Sequence, residues 1–198
     1  METTEPGLKE AYLMAEALRK DEHYNYTDYY SWDDGKRWEL IDGNIYAMSP
    51  APSMSHQSIS MSIANQLYNY LRGKPSKVFV APFDVRLNPG DKDDTVVQPD
   101  LVIVCDKNKL DDRGCKGVPE MVIEILSPST SRHDRLVKFQ LYQRFGVLEY
   151  WIVDPETKTV QANILSEGRY YASVYGDADD IPVHILENFK INLPDVFE

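Results

Sequence analysis

The segment Pro119–Tyr142, PEMVIEILSPSTSRHDRLVKFQLY, constrains the fold of this chain more than any other. Met121, Val122, Ile123, Ile125 and Leu126 are β-formers and are apolar on both faces, the pattern of a strand covered on both sides within a sheet. Glu124 interrupts that run. A carboxylate buried there needs a cation, a metal ion or a proton, because an unpaired buried charge is strongly unfavourable. Ser-Pro-Ser-Thr-Ser then breaks the strand, and Thr130 or Ser131 is placed to cap a helix with Asp134 in its first turn. Helical spacing sets Asp134, Lys138, Leu141 and Phe145 on one face with Val137. That face is otherwise apolar, so Lys138 is expected to point inward as well.

The chain has 198 residues, 42% of them hydrophobic and 27% charged, which suits one globular domain with small appendages. The expected division is an N-terminal helical extension over 1–26 and a main domain over 27–198. The longest apolar run, Leu101 to Cys105, is far too short to span a bilayer, and METTEPGLKE has neither a basic start nor an apolar core. The expectation is a cytoplasmic protein with no membrane partner. Cys105 and Cys115 lack the paired spacing of a zinc site and read as free thiols in a reducing compartment.

The net charge of −11 opposes bulk electrostatic binding to nucleic acid. The acidity is concentrated at the ends: residues 1–30 carry 3 basic and 7 acidic side chains, and residues 171–198 carry 1 and 6. Between them 17 basic groups face 19 acidic ones, and Arg132, Arg135, Lys138 and Arg144 outnumber Asp134 locally. The middle of the chain can therefore meet a phosphate backbone, weakly and locally.

Residues 7–20 show helical spacing of Leu8, Tyr12, Ala15 and Leu18, the pattern of a packing or oligomer contact. Thr27 is expected to cap a short helix through Trp32, and a hairpin follows around Gly43-Asn44. On its first strand Glu39 reads, from the residues alone, as a solvated carboxylate. A long helix begins at Ser53 or Ser55, with Ile59, Ile63, Leu67 and Leu71 along one stripe and Gly73 at its end. His56, in its first turn, reads as a capping or hydrogen-bonding group. Lys77–Leu87 and Thr95–Cys105 read as strands, the second bent at Pro99-Asp100; alone, Asp100 is equally a turn aspartate. Lys107–Gly117 reads as a polar loop. Glu149–Val153 is a further strand, Val160–Leu165 and Arg169–Tyr175 form a hairpin around Glu167-Gly168, and the tail supplies a short strand and an edge.

The order helix, strand, strand, strand, helix, strand, with Pro99-Asp100 and then Glu124 on the second and third strands, resembles the core of the PD-(D/E)XK nuclease superfamily. The chain is more closely similar to the Uma-two family of that fold. The residues that carry the likeness are Trp38-Glu39-Leu40-Ile41-Asp42-Gly43, Met48-Ser49-Pro50, His56-Gln57, Gln98-Pro99-Asp100, and Glu124 through Thr130. They continue with Asp134, Lys138 and Tyr142, and with Gly146-Val147 leading to Glu149 through Pro155. The resemblance implies an α/β (α+β mixed-sheet) architecture, a restriction-endonuclease-like αβββαβ core with N-terminal helices and hairpin additions. The superfamily pattern has lysine two residues after the second acid, where this chain has Leu126; the resemblance implies that Lys138, on the next helix, takes its place.

The implied activity is endonucleolytic hydrolysis of DNA phosphodiester bonds. Asp100, Glu124 and Glu39 are the implied ligands of Mg²⁺ or Mn²⁺, and Lys138 completes the catalytic set. His56 and Gln98 are candidates for substrate contact, and Asp134 for holding Lys138. A homo-oligomer, a dimer first, is the expected assembly. Two other classes stay open at this point. One is a nucleic-acid-binding relative without chemistry, in which Glu124, Lys138 and Asp134 form a buried ion-pair network; the other is an acidic assembly module.

Overall fold

In the computed structural model, residues 22–48 and 51–198 are described. The segment 1–21, with the helix expected over 7–20, and Ser49-Pro50 lie outside the described residues. The first element is α1 (Tyr26–Ser31). Its cap is Asn25 rather than Thr27: Asn25 Oδ1 accepts from Thr27 N at 2.8 Å and Asp28 N at 3.3 Å, while the Asp28 carboxylate accepts from Asn25 N at 2.9 Å. Asn25 wins because only it has an acid three residues on to return the bond. Strands β1 (Trp38–Ile41) and β2 (Asn44–Ala47) form a hairpin. Its turn residues are Asp42 and Gly43, one place earlier than Gly43-Asn44, and both have positive φ, as a tight hairpin of this hand requires.

Ser53 caps α2 (Met54–Leu71), its side chain accepting from His56 N. Ile59, Ile63, Leu67 and Leu71 are all buried, the expected stripe. The two long segments that follow are each divided at a proline. The first becomes β3 (Lys77–Val80) and β4 (Asp84–Arg86), the second β5 (Val96–Val97) and β6 (Leu101–Val104). Pro82 and Pro99 supply no ladder donor, so pairing stops there. Ala81 N donates to Asp100 O across the break at 3.0 Å. Beyond it each strand pairs in a different sheet.

The Lys107–Gly117 loop is more ordered than its polarity suggested. It contains one 3₁₀ turn and the strands β7 (Leu110–Asp111) and β8 (Gly114–Lys116). Parallel pairing of β8 with β4 places Gly114 at φ +143°, where a Cβ would overlap the Asp84 carbonyl oxygen. Then come β9 (Met121–Ile125), a helical segment from 131 to 145 whose last part is α3 (Phe139–Phe145), and β10 (Glu149–Asp154). The hairpin β11 (Thr159–Ser166) and β12 (Arg169–Gly176) turns at Glu167-Gly168, as expected. The ribbon β13 (Asp180–Pro182) and β14 (Lys190–Asn192) follows.

A central sheet runs β12-β11-β10-β9-β6-β3, and a smaller one runs β2-β1-β5-β4-β8-β7. In the central sheet β9 and β10 are parallel, whereas β3, β6 and β9 pair antiparallel. This is the expected mixed α/β architecture with its αβββαβ core. One face of the central sheet, with Met121, Ile123, Ile125, Trp151 and Val153, packs on α2 and the C-terminal ribbon. The other, with Val122, Tyr150 and Ile152, packs on α3 and the smaller sheet. β9 is therefore covered on both sides, and alternation puts Glu124 on the face toward α3. Both cysteines are free, and burial pushes the Cys115 thiol up to about 12.

Candidate active site

The charged cluster forms where three elements meet. Glu124 is the fourth residue of β9, Glu39 the second of β1, and Lys138 lies on the helix after β9. Each is only 4% exposed. Lys138 Nζ lies 2.9 Å from Glu124 Oε1 and 2.9 Å from Glu39 Oε1, with Asp134 Oδ1 at 3.8 Å. Tyr142 Oη donates to the same Glu124 Oε1 at 2.9 Å, and Gln98 N donates to Glu39 Oε1 at 2.9 Å. A short ammonium–carboxylate bond on each side fixes the lysine tip between two strands of different sheets.

The local helix geometry serves this placement. Ser127 closes the entry turn with Thr130, its N donating to Thr130 Oγ1 and its Oγ accepting from Thr130 N, so the cap lies earlier than Thr130 or Ser131. His133–Lys138 is π-helical, wider than an α-helix, and Phe139 N reaches back to Asp134 O. The Tyr150 hydroxyl donates to that same carbonyl at 3.1 Å. Asp134 and Lys138 are buried while Leu136 and Val137 are exposed, so Val137 does not share the inward face. Leu141 and Tyr142 restore the apolar stripe in α3.

Asp100 occupies the proline bend at the start of β6. Extending the antiparallel register Leu101↔Ile123 by one residue sets Asp100 opposite Glu124 on the same face. Asp100 Oδ2 accepts from Ile125 N at 2.8 Å and meets His56 Nε2 at 3.2 Å. His56 is thus both a first-turn residue of α2 and the orienting partner of Asp100. The Gln98 side chain does not join the cluster. Its Oε1 accepts from Arg37, and its Nε2 donates to Tyr29 Oη and Asp84 Oδ1.

The electrostatics follow from burial. Burial by itself would strip the Lys138 proton, but Glu124, Glu39 and Asp134 outweigh it and hold that group well above its ordinary value. At neutral pH the group is therefore an ammonium. Burial drives Glu124 well above the usual carboxylate range; Lys138 opposes this, whereas Asp134, Asp100 and Glu39 add to it. Asp134 is raised too, again first by burial. His133 is lowered by burial and by Lys138; its Nε2 stands 3.8 Å from Glu39 Oε2. For His56, burial acts to lower the value, but the hydrogen bond and charge of Asp100 prevail and raise it. Four carboxylates, Glu39, Asp100, Glu124 and Asp134, are thus gathered around one ammonium and two imidazoles. Such an excess of buried negative charge calls for a proton or a further cation.

The donor chemistry suits a hard cation in a limited way. Both protein hydrogen bonds to Asp100 land on Oδ2 and both to Glu124 on Oε1; their other oxygens meet no protein donor among the described residues. The Asp100 side chain is 22% exposed and so reachable, whereas that of Glu124 is 5% exposed. Mg²⁺ commonly takes one or two carboxylates and keeps several waters. A third carboxylate does not join them: among the described residues no three His, Cys, Asp or Glu side chains are placed to share one ion. Glu39 faces the Lys138 ammonium instead.

Tyr142 and His133 were not foreseen as contacts. Tyr142 carries a signal, since it stands four residues after Lys138 on the same stripe. His133 carries none, because the π-helical phase that turns it toward Glu39 is not written in the spacing. The local basic excess is likewise engaged: Arg135 pairs with Asp154 and Arg144 with Asp42.

The site thus sits on a mixed sheet, with Asp100, at the bend before β6, facing Glu124 on β9. The chain belongs to the Uma2 family, whose model, described as "Putative restriction endonuclease", matches residues 26–194. It is 28% identical over 132 residues to "Uncharacterized protein slr1290" of Synechocystis sp., spanning 66% of this chain and 67% of that one. It also resembles a crystal structure from Anabaena variabilis ATCC 29413 titled a putative nuclease belonging to DUF820. That likeness has a TM-score of 0.70 at 17% identity and covers 88% of this chain and 97% of the other. Among the described residues no helix is long and apolar enough to cross a membrane.

Proposed function

We propose that this protein is a divalent-cation-dependent endonuclease that hydrolyses phosphodiester bonds, with DNA as substrate. Family membership supports the reaction class. The observation that supports it furthest is Lys138, buried and fixed at 2.9 Å from carboxylates of two sheets, beside Asp100 at a reachable bend. Asp100 and Glu124 would hold Mg²⁺ or Mn²⁺, and Glu39 would act through Lys138 or through a water. Such a cation, when bound, lowers the pKa of a bound water and polarises a phosphoryl oxygen. Because Lys138 keeps its proton, it serves as a donor to the attacking water or to the developing phosphoryl charge, not as a base. Tyr142 restrains Glu124, and His56 restrains Asp100.

One observation favours a second reading. Lys138 is saturated by its carboxylates, as in a structural ion-pair network of a relative without catalysis. Nicking and cleavage of single- and double-stranded DNA during a Mg²⁺ or Mn²⁺ titration separates the two. The wild type should cut, and Asp100→Asn and Lys138→Ala should fall by roughly 10²–10³-fold. A folded wild type that cuts nothing with either ion contradicts the proposal.

A further inference from the structure

Next to the cluster, on the far side of Gln98, lies a cleft of about 200 Å³ lined by Tyr29, Tyr30, Trp32, Lys36, Arg37, Trp38 and Gln98. It is smaller than the roughly 300–1,000 Å³ typical of drug-sized sites, and so suits one flat ring system. Tyr30 is 56% exposed, and Tyr29, Trp32 and Trp38 are half-buried. Trp32 meets Tyr29 at 5.7 Å and Trp38 at 6.4 Å between ring centroids, both edge to face, so the three rings form one connected aromatic cluster. Asp34 accepts from Trp38 Nε1 and holds that ring. Lys36 Nζ stands 5.8 Å from the Trp38 ring centroid, and neither Lys36 nor Arg37 has a carboxylate within 4.0 Å among the described residues. The cleft is wired to the cluster by one residue. Gln98 meets Arg37 and Tyr29 through its side chain and Glu39 through its backbone N–H.

We propose that this cleft is a stacking subsite for one unpaired nucleobase, with Lys36 and Arg37 contacting its flanking phosphates. The assignment rests on the nuclease reading and adds to it a class of substrate: nucleic acid with at least one base out of the duplex. Stacking is the term this chain can use. A protein of net charge −11 gains little from bulk attraction to a backbone, whereas a base stacked on an aromatic ring binds without it. Lys36 and Arg37 are two cations, so phosphate contact is limited to one or two groups.

The test is equilibrium binding of fluorescent dT12, rU12 and a blunt duplex without divalent ion, to wild type and to Lys36→Ala, Trp38→Phe and Trp38→Leu. Circular dichroism melts verify folding. Wild type should bind the single strands above the duplex, with a salt slope no steeper than about −1.4 for two phosphates. Trp38→Leu should lose roughly 5- to 150-fold, the worth of one stacked base, and Trp38→Phe should restore most of it. Lys36 is exposed, so Lys36→Ala should melt as wild type does, weaken binding and flatten the slope. The dT12 and rU12 arms decide between DNA and RNA. No binding of either strand, or binding unmoved by both Trp38→Leu and Lys36→Ala, overturns the subsite even if wild type cuts DNA. Binding lost in those variants upholds it even if no cleavage is seen, in which case the nuclease reading fails alone.

Discussion

Two buried glutamates lie on adjacent parallel strands of the central sheet and have opposite surroundings. Glu149, at the start of β10, is 0% exposed and points to the α2 face, where Trp151 Nε1 and Ile185 N donate to its two oxygens at 2.8 and 3.0 Å. Both donors are neutral. Glu124, on β9, points to the opposite face and meets an ammonium, a phenol and the fields of three more acids. Burial is common to both, so burial alone does not mark a site. What separates them is the company: Glu149 is a satisfied core acid, whereas Glu124 belongs to an assembly with more negative charge than its own cation neutralises.

The largest test of that contrast is Lys138→Ala. Removing the ammonium strands Glu39, Glu124 and Asp134 together, and urea unfolding should show a loss of about 3–5 kcal/mol. A loss below about 1 kcal/mol would erase the distinction, since it is the size of an exposed pair.

Glu149 supplies the next. Burial, opposed by the Ile185 and Trp151 hydrogen bonds, raises its carboxyl from 4.5 to about 7. The folded state then holds this proton more tightly than the unfolded chain does. Its contribution to stability is complete below pH 4.5 and is lost as pH rises through about 7. Stability measured between those pH values should fall on the order of 3 kcal/mol more in wild type than in Glu149→Gln. Equal pH profiles would remove Glu149 as the neutral counterpart, while activity is expected to survive the substitution.

The smallest effect is expected from Tyr142→Phe, which deletes one buried hydrogen bond to Glu124 and should lower the unfolding free energy by about 1.5–3 kcal/mol. The corresponding change in cleavage rate should exceed the change in a Glu149→Gln enzyme at the same pH.

Glu124 and Lys138 were legible because each violates a strong local pattern, one in a two-sided apolar strand and one on an apolar helix stripe. The bend at Asp100 was legible through Pro99, whose missing donor interrupts the strand, but the place of Asp100 beside Glu124 was not, since a turn aspartate fits the same residues. The β11–β12 hairpin followed from its strands and the Glu167-Gly168 turn, and α2 from spacing. Glu39 was not legible from its neighbours: β1 has four residues, and the partners of Glu39, the Lys138 ammonium and the Gln98 N–H, stand far away in sequence. The exchange of strands between sheets at Pro82 and Pro99 was half legible, since proline predicts a break but not where the chain pairs afterwards. Strands β7 and β8 were hidden because pairing with β4, not apolar pattern, creates them. The π-helical phase was hidden for a similar reason, as it is set by contacts of Asp134 and Lys138 rather than by propensity.

The most direct test of the account is Mn²⁺ uptake, read by electron paramagnetic resonance, in wild type, Asp100→Asn and Glu149→Gln. Wild type and Glu149→Gln should take up the ion and folded Asp100→Asn should not. Equal uptake by Asp100→Asn, or none by any of the three, would contradict a cation held between Asp100, at the bend before β6, and Glu124 on β9.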